Sequence, residues 1–214
     1  MKKIAPTISV AAAALLSGCA SSSISYMPPS NHQSAITKTI EKPRDAVWAD
    51  SVPALGKDFF VINNLDKASG LINVSYSGDP HDYVDCGHIN ASFENLSGRR
   101  DYSFDGSVKD TTYALYKYPI LVNFRRQMNL DGRVNIIFEA VGPTETRVTV
   151  NARYVVQRQL NARASNGQTG AQADSVAFSS RGHAAFSEAG GGSTARTECV
   201  PTGKLEQEIL SLIQ

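Results

Sequence analysis

The chain has 214 residues, of which 42% are hydrophobic and 19% charged, a balance that suits a folded body with an apolar core and excludes a disordered polyelectrolyte. Its formal net charge of +1 gives no electrostatic reason to expect nucleic acid or an anionic surface as a partner. The length allows one generous domain or two small ones, and past the N-terminal stretch no run is apolar for the roughly 20 residues that a membrane-spanning helix needs.

Met1-Lys2-Lys3 is a basic start, and Ile4 to Leu16 is an apolar run broken by Pro6, Thr7 and Ser9. This run is short for a membrane span and has the form of a secretory signal. It ends in Leu16-Ser17-Gly18-Cys19, which resembles the lipobox of bacterial lipoproteins. The resemblance implies that residues 1–18 are removed and that Cys19 becomes an acylated N-terminus carrying diacylglyceryl and palmitate-like chains. Two or three such chains hold a protein on a membrane permanently, since each buried methylene contributes about 0.8 kcal/mol. The next residue is Ala20 and not Asp, which is similar to lipoproteins sorted to the outer membrane, so the expected address is its periplasmic face.

With Cys19 acylated, Cys86 and Cys199 are the thiols that remain. In an oxidising compartment their pairing is the simplest expectation, and two separate buried thiols are the alternative.

Residues 19–42 are rich in Ser, Pro and Asn and read as a flexible tether. From Pro43 the spacing of Val47, Trp48, Val52 and Leu55 predicts a helix ending near Gly56, shortened or kinked by Pro53, with Trp48 as a core anchor. Phe59 to Asn64 and Leu71 to Ser77 read as strands joined by a turn at Asp66–Gly70. Residues 78–131 are the least legible, with strands expected around Ile89–Phe93 and Tyr113–Phe124. Arg133–Glu139, a turn at Gly142–Glu145 and Thr146–Val156 form the clearest hairpin, with Val148, Val150, Ala152 and Tyr154 on one face. Asn161–Asp174 is expected as a mobile loop, Val176–Phe186 as a last strand, Gly190-Gly191-Gly192 as a turn, and Thr202–Ile213 as a closing helix with Leu205, Ile209, Leu212 and Ile213 in one stripe.

The sum is an α+β fold: residues 43–214 as a single periplasmic domain whose antiparallel sheet is covered on one face by an N-terminal and a C-terminal helix. The order of helix with Trp48, strand, turn at Gly70, strand, and the Arg133–Val156 hairpin resembles the helix-grip modules of periplasmic lipoproteins, in particular the C-terminal domains of the C subunit of the outer-membrane barrel-assembly machine. That resemblance implies a non-catalytic interaction domain.

One stretch argues for chemistry. Asp79 to His88 gathers three carboxylates, two imidazoles and a thiol, and His81, Asp85 and His88 are donors of the kind that zinc takes. Asp-Pro and Cys-Gly are equally loop chemistry, so a solvated turn without metal is the plainer reading. Ser180 and Ser187 stand near His183, but there is no G-x-S-x-G elbow, and no P-loop, dinucleotide fingerprint or C-x-x-C occurs. Arg125-Arg126 is a small basic patch, by default a solvated strand end. The functional expectation is therefore a lipid-anchored periplasmic binding or scaffold module with an envelope protein as partner and no cofactor. The alternatives are a metal-dependent or hydrolytic lipoprotein using the Asp79–His88 loop, and an accessory lipoprotein of a secretion or conjugation apparatus.

Overall fold

The computed structural model describes residues 21–30, 35–58, 60–187 and 196–214; the signal, Cys19 and the Gly190–Gly192 turn lie outside them. Strands β1 (Ser21–Met27) and β2 (Thr37–Ile40) precede helix α1 (Arg44–Lys57). Strands β3 (Val61–Asp66), β4 (Leu71–Gly78), β5 (Val84–Asp85), β6 (His88–Asn95), β7 (Gly98–Asp105) and β8 (Asp110–Lys117) follow. The chain continues through β9 (Ile120–Gly142), β10 (Glu145–Ala164), β11 (Thr169–Ser179), β12 (Ala184–Ser187) and β13 (Arg196–Pro201) to helix α2 (Lys204–Leu212).

The hairpin of β9 and β10 is the spine. It is 23 residues long on one side and 20 on the other, with Val134 opposite Ala152 and Phe124 opposite Ala162. Outside β9, β4 pairs with its C-terminal half and β8 with its N-terminal half. Outside β10, β2 pairs near the hairpin turn and β11 along the remainder. With β3 beyond β4 this makes a seven-stranded antiparallel sheet, joined by two three-stranded sheets ordered β1-β6-β7 and β12-β13-β5.

These strands overturn the expected α+β class: the described residues are 64% strand and 13% helical, with two short helices and several antiparallel sheets among them. The reason is geometric. At 14 and 9 residues, the helices are about 21 and 14 Å long at 1.5 Å per residue, whereas a 23-residue strand extends roughly 75 Å at 3.3 Å per residue. They cover one half of the spine and leave the other to strands. Two further expectations fail with it. The 19–42 tether supplies β1 and β2 in its described part, and the loop expected at Asn161–Asp174 is mostly strand, its polar side chains standing on a ladder that sets Arg163 opposite Thr169.

In the helix-bearing half, burial does the holding. Val134, Ile136, Val148, Val150 and Tyr154 are fully buried, as are Val47 and Leu55 of α1 and Leu205 and Ile209 of α2. Fully burying one such aliphatic side chain contributes about 1.5–3 kcal/mol. Trp48 sets its ring edge-on to Phe138 at 5.4 Å, as a core anchor should. Gly70, at φ +71°, accepts a hydrogen bond at its carbonyl oxygen from the Phe138 amide at 2.8 Å. A Cβ there would lie 2.4 Å from the Phe138 carbonyl oxygen, so no other residue fits. In the other half, Tyr113 bridges Phe104 and Phe124, with ring centroids 5.4 and 5.0 Å away.

Candidate functional site

The Asp79–His88 loop is a stitched structural corner. The Tyr83 and Val84 amides donate to the Pro80 carbonyl, and the Asp79 carboxylate accepts from the His81 amide at 3.0 Å. Asp82 meets Lys204 of α2 at 2.8 Å, and the lysine's hydrogen bond holds the Asp82 carboxyl below its ordinary value. The Tyr83 hydroxyl donates to Glu208 at 2.7 Å; burial, then this carboxylate, pushes the phenol far above its ordinary value. Cys86 is bonded to Cys199 across a separation of 113 residues, so the expected disulfide exists and that thiol is spent. Gly106 lies against it, where a Cβ would come within 2.3 Å of the Cys86 carbonyl oxygen.

The three candidate metal donors are accordingly dispersed. Asp85 accepts from the Gly87 amide at 2.8 Å, His81 stands exposed, and His88 is held by other partners. Among the described residues no three His, Cys, Asp or Glu side chains lie close enough to share a metal ion.

What the sequence reading missed is the setting of His88. Its Nδ1 lies 2.8 Å from an Asp105 carboxylate oxygen and its Nε2 lies 2.7 Å from the Ser103 hydroxyl. The sheet register creates this: His88 is opposite Asp105, and Asn90 is opposite Ser103. The signal was present as polar alternation along His88-Ile89-Asn90-Ala91-Ser92, but pairing partners ten or more residues away are invisible without the register. The order Ser, His, Asp is that of a nucleophile relay. Here Ser103 donates its hydroxyl proton to Asn90 at 2.8 Å, which leaves the imidazole to act as the donor. Successive strand amides point in opposite directions, so an extended strand does not aim two of them at one oxyanion. The arrangement fixes the imidazole without activating the serine.

The other serine and histidine candidates are also structural. Ser180 bonds the Ala152 amide at 2.7 Å, and exposed His183 stands 3.9 Å from Glu198. The Arg125-Arg126 pair is split by alternation: Arg125 is exposed and ion-paired with Asp110, whereas Arg126 is buried. A second buried cation lies beside it in the sheet. Arg158 makes two hydrogen bonds to Asp174, at 3.0 and 2.7 Å, and one to the Ser187 carbonyl at 2.9 Å, with its guanidinium 4.5 Å over the Phe186 ring. This pair floors an open groove that Asp79, His81 and Gln157 also line.

The sheet edges differ in kind. Edge strand β7 is guarded by charge, with Arg99 gripping Asp101 through three hydrogen bonds. Edge strand β3 is not: among the described residues it pairs with β4 alone, and its Val61 and Leu65 are 61% and 46% exposed. A register shift beside Asn63 bends this strand. Compared with models of known protein families, with curated proteins and with solved structures, the chain matches none.

Proposed function

We propose that the chain is a lipoprotein held through acylated Cys19 at the periplasmic face of the outer membrane, and that its β-rich body is a non-catalytic module binding an envelope protein along β3. The observation that carries the reading is the edge itself. Unpaired backbone groups beside exposed apolar side chains are what an incoming strand uses, and proteins that avoid such pairing blunt their edges with charge, as β7 does here. The signal segment and the disulfide agree with the compartment.

The test places a photoreactive residue at Val61 in the full-length protein and irradiates native envelopes. One defined protein should be captured, and Leu65→Lys, which charges the edge, should abolish capture while leaving the thermal melt unchanged. Capture that is absent, or indifferent to Leu65→Lys, sinks the edge reading. The anchor is checked separately, by the mass of the N-terminal peptide.

A hydrolytic reading has one observation in its favour, the chain from Ser103 through His88 to Asp105. A fluorophosphonate probe decides it: covalent labelling at Ser103, lost in His88→Ala, would establish an activated serine, and its absence would leave His88 as a structural bracket.

A further inference from the structure

We infer that the β6–β7 turn is a membrane contact, with Leu96 entering the lipid interface beside the acyl chains on Cys19. The inference rests on the lipid anchor proposed above and adds which end of the body the membrane meets. β1 runs antiparallel to β6, with Met27 opposite His88 at one end and Ser21 opposite Glu94 at the other. Cys19 precedes Ser21 by two residues, and a chain of two residues reaches at most about 7 Å. Leu96 follows Glu94 by two residues, just past the end of β6, so the turn and the start of β1, from which the acylated cysteine is two residues away in sequence, share one end of the sheet.

The turn suits that position. Leu96 is 95% exposed, the most exposed of the large apolar side chains described. The Asn95 side chain accepts from the Ser97 amide at 2.9 Å, closing the turn and presenting Leu96 at its tip. Next to it Arg99 is neutralised by Asp101, and Arg100 turns to the other face, opposite Phe93, where it lines a groove with Arg125 and Arg163. An exposed apolar tip on a closed turn, with its nearest charges paired to each other, suits the boundary between acyl chains and headgroups. Had the first strand begun many residues after the cysteine, no end of the body would be specified.

The test uses the full-length acylated protein in phosphatidylethanolamine–phosphatidylglycerol vesicles. Leu96→Cys and, as a control on the β3 edge, Leu65→Cys are each labelled with an environment-sensitive fluorophore. The Leu96 label should shift to the blue on reconstitution, lose its quenching by iodide and gain quenching by lipids with spin labels high on the acyl chain; the Leu65 label should do none of these. A protein that floats with the vesicles while its Leu96 label stays open to iodide overturns the inference and leaves the anchor standing. A protein that carries no acyl mass and does not float overturns both.

Discussion

The two halves of the β9–β10 spine are built on one continuous ladder and held by different forces. From Leu130 to Phe138 and from Thr146 to Val156, the inward positions are almost all apolar and lie under α1 and α2. Toward Phe124 and Ala162, inward positions include Arg126 and Arg158, and stability passes to stacked rings, a buried ion pair and surface carboxylate–arginine pairs. The difference teaches that strand periodicity survives a change of chemistry. A ladder needs a filled inner face, and that face can be filled by hydrocarbon or, as at Arg158, by a guanidinium held by Asp174 and the Ser187 carbonyl.

The largest expected effect falls on the covalent link. Cys86 lies between β5 and β6 and Cys199 in β13, which leads into α2, so Cys86→Ser with Cys199→Ser should cost about 4–5 kcal/mol, the loop-closure entropy of a loop this long, read from urea midpoints. If the halves are one cooperative unit the transition stays single; two transitions would show that the covalent link creates the unity. Within the helix-bearing half, Phe138→Ala should cost about 3–5 kcal/mol through the cavity left under Trp48. Phe124→Ala in the other half should cost less, because that ring is half-buried. Equal losses would erase the distinction between the halves.

In the outer half, Arg158→Ala should cost about 3 kcal/mol by leaving Asp174 without its partner, whereas Arg158→Met combined with Asp174→Leu should restore most of it. Failure of the double variant to recover would mean that the pair contributes more than the cost of breaking it.

Proton linkage gives the smallest and most selective contrast. Burial, reinforced by Glu206, pushes the Tyr154 phenol upward, and burial with Glu208 does the same for Tyr83. Their folded values lie above the ordinary phenol value of about 10, so this stability is complete below pH ~10 and is lost as pH rises beyond it. Asp110 and Asp101 are held low by hydrogen bonds from Arg125 and Arg99; their contribution is present above pH ~4 and is lost as pH falls through the folded values. Helical circular dichroism should therefore fade first in alkali, and amide protection in β7 and β8 should fade first in acid. A common response at both extremes would contradict the division.

The legible part of this fold was the part held by hydrocarbon. Val148 to Tyr154 alternate in the sequence and do so in the sheet, Trp48 reads as an anchor and is one, and the Gly70 turn stands where its residues place it. The Cys86–Cys199 bond also followed from counting thiols. The illegible part was the polar half. Asn161, Arg163 and Gln172 have weak strand signals, and what makes them strand is a partner across the sheet. The same cause hid the His88 bracket, whose members come from two strands, and it led to an overestimate of what two helices could cover. The Asp79–His88 donors were recognised by type, but their directions are set by the disulfide and by α2, which residue types do not encode.

Because even-numbered residues point inward along both long strands, the two halves share a parity as well as a ladder. One added residue near Gly132 would keep every residue type and nearly every hydrogen bond available, yet it would turn one half inside out, sending Met128 and Leu130 to water and Asn129 to the interior. An evolving sequence can lengthen this spine at its turns, but through its middle it must grow in steps of two or accept a bulge, a constraint that should make the Leu130–Val134 stretch the least tolerant of insertion in the molecule.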